Sequence, residues 1–116
     1  AFVEVRHISE RVRNMVRDSL TSFARFDIDL ALKVVHEDEA VDSEYTTAMR
    51  SLMTFMMEDP RSITSVLSVM WVLRALERIG DHANNLAEYV IYLVKGLDIR
   101  HINPDDLDEE ALKQRK

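Results

Sequence analysis

The chain has 116 residues, enough for one domain with a modest core. Its 21 acidic and 15 basic residues give a net charge of −6, which argues against nucleic-acid binding, because phosphate contacts need clustered Lys and Arg. The absence of cysteine excludes disulfides and thiolate-held zinc and fits a reducing compartment, and only two glycines and two prolines favour long helices over strands.

No apolar run approaches the ~18 residues needed to span a membrane; the longest, 66–73, contains a serine. The chain opens at Ala1 rather than at a methionine, and already inside a helical pattern, so a segment of something longer is expected.

The first helix is expected over residues 2–25. Ile8, Val12, Met15, Val16, Leu20 and Phe23 recur at three- and four-residue steps, one face of an amphipathic helix. Asp27 then suits an N-cap, and Asp29 suits the positive end of the next helix.

The second helix is expected over 28–57. Its stripe, Ala31, Val35, Asp38, Asp42, Tyr45, Met49, Leu52 and Met56, alternates steps of four and three, a heptad seam with two aspartates on it. Asp59-Pro60 reads as an N-cap followed by the first helical position of the third helix, expected over 60–95 and ended by Gly96. On that helix Val69, Val72, Leu76, Ile79, Ala83, Leu86, Val90 and Leu93 form an apolar stripe that should face the core. The neighbouring stripe, Met70, Leu73, Glu77, Asp81, Asn84 and Glu88, turns polar midway. The six methionines and Trp71 fall mostly on apolar stripes and are expected in the core.

Short turns between three such helices predict an all-α fold, an antiparallel up-down three-helix bundle over 1–96. Residues 97–116 read as a polar, flexible C-terminal tail.

Two acidic pairs share one spacing, Asp38-x-x-x-Asp42 and Glu77-x-x-x-Asp81. Positions 42 and 77 average to 59.5, and so do 38 and 81. A hairpin at Asp59-Pro60 therefore brings all four carboxylates to one level, ~26 Å from the turn, with Asp42 opposite Glu77 and Asp38 opposite Asp81. Like charges at i,i+4 are unfavourable on a helix unless something neutralises them. A cation with oxygen ligands is one answer. A solvated acidic face is another. Neutralisation by arginine is a third, with Arg74 placed to pair with Glu77, and with Arg11 and Met15 near the heights of Asp42 and Asp38; Asn14 or Asp18 would be a further oxygen donor to a cation. His82 follows Asp81 at the rim, while His7, His36 and His101 read as surface or boundary residues. Glu4-x-x-His7 matches half of a di-iron element, without its second copy. No nucleophile constellation or Gly-rich loop stands out.

The segment 76–88, LERIGDHANNLAE, resembles the signature of the PhoU family of phosphate-signalling regulators. Met57-Glu-Asp-Pro-Arg-Ser62 and Gly96-Leu-Asp-Ile-Arg-His101 are similar to the same family. The resemblance runs from the first helix to His101 and points to one PhoU-like repeat, the C-terminal of two three-helix repeats. It implies that Asp38, Asp42, Glu77 and Asp81 lie on metal-binding E(D)xxxD motifs, with Asn85 and Glu88 in supporting positions. The ions implied are divalent or trivalent: Fe, Zn, Mn or Mg.

By that resemblance the expected function is negative regulation and not catalysis. A cytoplasmic, commonly dimeric adaptor would couple the phosphate ABC transporter to a sensor histidine kinase, with peripheral membrane association through its metal. Arg6, Arg13, Arg17 and Arg25 make the first helix the most basic part of the chain and the expected partner surface. A carboxylate-bridged dimetal enzyme is the rival reading, opposed by the missing histidine ligands. A metal-free helical interaction module is the third.

Overall fold

The computed structural model describes residues 2–99, and side chains from 3 to 96. Helices α1 (Phe2–Arg25), α2 (Ile28–Glu58) and α3 (Ile63–Ile99) run up, down and up, and each packs on both others. A single 3-10 turn, Pro60–Ser62, separates α2 from α3. The described residues contain no strand, and none of their helices is long and apolar enough to cross a membrane.

Asp27 and Asp59 cap the turns as expected. After Arg25, Phe26 takes a left-handed φ of 53°. Asp27 N then donates to Ser22 O at 2.9 Å and Phe26 N to Phe23 O at 3.4 Å, the two bonds of a Schellman closure. Asp27 also caps α2, its carboxylate accepting from Leu30 N at 3.0 Å. Asp59 closes one element and opens the next. Its N–H donates to Phe55 O at 2.9 Å, and its side chain accepts from Arg61 N at 3.2 Å.

Two boundaries differ from the sequence reading. Pro60 begins a 3-10 turn rather than the first turn of α3. Helix α3 does not stop at Gly96 but continues to Ile99, because Gly96 keeps an ordinary negative φ and so does not form the left-handed cap that ends a helix. Within the expected tail, residues 97–99 are therefore helical; 100–116 lie outside the described residues.

The core is narrow and rich in small side chains. Ala31, Ala48, Ala83, Ala87, Ser19 and Ser22 are buried together with Ile8, Val12, Met15, Val34, Val41, Leu52, Val66, Leu73 and Val90. The two serines are satisfied within α1, Ser19 Oγ donating to Val16 O at 2.9 Å and Ser22 Oγ to Ser19 O at 2.7 Å. They occupy places expected for larger residues, and Leu20 and Phe23 are exposed instead. Helix α3 is also turned away from its expected face. The row Val66, Leu73, Gly80 and Ala87 faces inward beside Ala83 and Val90, while Val72, Ile79 and Leu93 of the expected stripe face outward. Trp71, at 71 % exposure, and Met57, at 81 %, also lie outside the core. Small residues win the interior because they let helix axes approach more closely than bulky ones do.

Gly80 marks that approach. A Cβ built there meets Val12 Cγ2 of α1 at 3.7 Å and Met15 Cε and Asp38 Oδ1 at 4.0 Å. All three helices thus converge beside Asp38.

Phe26 is half-exposed and holds a conformation that costs an L-residue ~1–2 kcal/mol. Phe26→Gly is therefore expected to stabilise the fold by ~1 kcal/mol, read as a raised urea midpoint at unchanged m-value.

Candidate functional site

The convergence of α2 on α3 beside Gly80 places carboxylates face to face. Asp38, Asp42 and Asp81 each present an oxygen, and these oxygens lie within 4.8 Å of one another. Asp38 is half-buried; Asp42 and Asp81 are open to solvent. The two aspartates of α2 share a face through their four-residue spacing, and Asp81 of α3 lies against both.

The register differs in one respect from the midpoint argument. Asp81 meets Asp38 as expected, but it also meets Asp42, and Glu77 lies outside the trio. Glu77 sits instead beside Tyr45, whose hydroxyl is pushed above its ordinary pKa by burial and then by the Glu77 charge. A 3-10 turn advances the chain by a different angle per residue than an α-helix, so counting from Asp59 with one pitch fixes the height of a residue on α3 better than its azimuth.

Electrostatics mark Asp38 as the centre. Its pKa is raised from 3.8 to about 6, first by burial and then by Asp42, Asp81, Glu88 and Glu77 in that order. Asp42 is raised by burial and by Asp81. Among the described residues no Lys, Arg or His forms an ion pair with any of these five acids.

The arginine alternatives are therefore not realised. Arg74 makes no ion pair with Glu77, and Arg11 turns to Glu37 and Glu44 on the other flank of α2. Asp18 is taken by Lys33 Nζ and Arg17 Nε, each at 3.4 Å, and Asn14 lines a small cavity beside them between α1 and α2. From α1 the acidic group receives an apolar wall, Val12 and Met15. His7 pairs with Glu44 at 3.1 Å, and His82 is exposed and outside the trio.

Of the supporting residues, Glu88 lies close enough to act on Asp38, whereas Asn85 is exposed and lines an open surface pocket with Glu88, Tyr89 and Tyr92. The residue that holds Glu88 is Asn84, whose Nδ2 donates to Glu88 Oε1 at 3.3 Å. Asn84 Oδ1 is buried without a partner. Its place on the row Glu77, Asp81, Asn84, Glu88 was the signal that could have found it.

A donor set made only of carboxylates suits a hard cation. Two oxygens on opposite sides of a cation at ~2.4 Å stand ~4.8 Å apart, so a trio of this span fits around one ion after small side-chain adjustments. Such an ion would supply the positive charge that no side chain provides.

Without a cation, the folded state binds the Asp38 proton more tightly than the unfolded chain does. The site then adds no penalty below the ordinary carboxyl range, and stability falls as pH rises through 3.8 towards 6. In chelator, Asp38→Asn is expected to melt above the unsubstituted chain at ~pH 7, with the difference vanishing near ~pH 4, followed by circular dichroism melts across that range.

Comparison with known proteins identifies the family of the fold. The family model of the PhoU domain matches residues 5–90. A phosphate-specific transport system accessory protein PhoU homolog of Pseudomonas putida is 66% identical over 101 residues, which cover 87% of this chain and 40% of that protein. The accessory protein PhoU of Escherichia coli K12 is 45% identical over 107 residues, covering 92% of this chain and 44% of that protein. The crystal structure of PhoU from Pseudomonas aeruginosa superposes with a TM-score of 0.80 at 62% identity, over 82% of this chain and 46% of that one. The chain thus spans less than half the length of these relatives. On the domain match and on the shared three-helix fold, this chain belongs to the PhoU family.

Proposed function

We propose that this chain is part of a non-enzymatic accessory regulator of phosphate uptake. The observation that carries the reading is the family match over 5–90, which includes every residue of the acidic group. The similar proteins are named as accessory proteins of the phosphate-specific transport system, which supports that role. In the finer reading the protein is a cytoplasmic homodimer that links the phosphate ABC transporter to its sensor histidine kinase and restrains the starvation response when phosphate is plentiful.

In the same reading the acidic group holds a divalent or trivalent cation. Asp38, Asp42 and Asp81 supply the first oxygens, while Glu77 and Glu88 are near enough to act on Asp38 and would join by rotating. The ion offsets part of the charge of five carboxylates that no basic side chain pairs among the described residues. It thereby ties α2 to α3, and the open side at Asp42 and Asp81 leaves room for an acidic partner or lipid headgroup. Binding only the folded state stabilises it. Mn, Fe, Zn or Mg added to metal-free protein is expected to raise the melting temperature, and Asp81→Asn to remove that rise. An unchanged melting temperature for the unsubstituted protein favours the metal-free interaction module.

The partner surface in this reading is α1. Arg6, Arg13 and Arg17 share one exposed face through steps of seven and four, with Arg25 further round the helix. A basic face on an acidic molecule steers encounter with acidic partners. Deleting the gene is expected to derepress phosphate-starvation genes in rich phosphate, and charge reversal at Arg13 and Arg17 to reproduce that defect in a folded protein. Survival of both partner binding and repression in that variant rules out α1 as the contact surface.

A further inference from the structure

Arg11 of α1 meets two acids of α2 at once. Its Nη1 donates to Glu37 Oε1, and its Nε lies 2.9 Å from Glu44 Oε1. That second N–H is not aimed at the carboxylate, so the contact is an ion pair without a hydrogen bond. His7 Nδ1 holds the other oxygen of Glu44 at 3.1 Å. Arg11, Glu37 and Glu44 are only 30%, 32% and 29% exposed, so the pairs are partly withdrawn from solvent.

The spacing matters more than the pairs. Glu37 and Glu44 stand seven residues apart, two turns along one face of α2, or ~10.5 Å. Asp38 and Asp42 lie inside those two turns but on the opposite flank, with buried Val41 between the flanks. Arg11 therefore spans the stretch of helix that carries both aspartates, gripping it from the other side.

Opposed forces act on that stretch. On the α3 flank, Asp81 pushes against Asp38 and Asp42 with no positive side chain between them. On the α1 flank, the Arg11 pairs pull. Next to Arg11 in sequence, Val12 packs where the three helices converge at Gly80, so a pull on Arg11 is delivered at the level of Asp38.

We propose that Arg11 is a positioning residue for the acidic group. By bridging Glu37 and Glu44 it fixes the rotation of α2 and keeps the aspartate-bearing turns seated against α3 while the carboxylates repel. An ordinary half-exposed ion pair would instead add a small stability increment indifferent to the state of Asp81.

The test is a double-mutant cycle in the full chain with chelator present, using Arg11→Met, Asp81→Asn and their combination. If Arg11 works against the repulsion, the melting-temperature loss caused by Arg11→Met in the unsubstituted background is about twice that in the Asp81→Asn background. Equal losses overturn the proposal. Glu44→Gln breaks only one arm and is expected to show the same coupling with a smaller loss, which covers the case in which Arg11→Met does not fold.

A second measurement rests on the proposed cation reading. Manganese titration of the folded Arg11→Met variant is expected to give affinity weaker by about tenfold, the scale of an outer-shell loss. Unchanged or tighter binding is what removal of a nearby positive charge alone produces, and it overturns the positioning role. If the unsubstituted chain shows no manganese response, the cation reading fails while the cycle still decides the role of Arg11.

Discussion

The structure depends on packing strong enough to hold like charges together. Gly80, Ala83 and Ala87 of α3 lie in the small-residue interior with Ala31, Ser19 and Ser22 of its neighbours, and the convergence at Gly80 presses Asp81 towards Asp38 and Asp42. Burial of apolar surface is favourable and non-directional, so it can force a polar juxtaposition that the charges themselves oppose. The pKa of Asp38 is raised first by that burial and then by the acidic neighbours it is held against. Everything proposed for the site follows from the need to relieve that opposition.

Charge is sorted by flank along α2. Facing α1, Glu37 and Glu44 both pair with Arg11, and His7 lies against Glu44; facing α3, the aspartates have no basic partner among the described residues. The same helix thus presents an acidic row with basic partners and one without, separated by Val41. An acidic chain needs this division. If every basic residue near the site paired with the nearest carboxylate, no acidic group would be left for a cation.

Much of this was legible in the sequence. The three helices, both Asp caps, the fold-back near Asp59 and the meeting of Asp38 with Asp81 all follow from local patterns with short reach. What failed was the side of α3 that turns inward. Hydrophobicity ranks Val72 and Ile79 above Gly80 and Ala87, yet interaxial distance favours the small residues. The buried serines of α1 misled for the same reason, since their hydroxyls are satisfied by their own helix and cost little to bury. Arg11 was placed at the right level but on the wrong flank, because reflection about a turn fixes height and not azimuth. The tether from Asn84 to Glu88 was beyond that argument altogether, since stripe membership does not say which amide meets which acid.

The short junction that begins at Asp59 has an evolutionary consequence. The acidic trio is assembled by counting outward along two helices from that point, so its geometry is an alignment between two arms of fixed length. One residue inserted into either arm turns everything beyond it by ~100° and shifts it by ~1.5 Å, which scatters the carboxylates while leaving a helical hairpin intact. Insertions of seven in both arms together restore the alignment to within a few tens of degrees, since seven residues are nearly two turns. Length variation compatible with the site is therefore expected outside the arms, or within both in matched heptads.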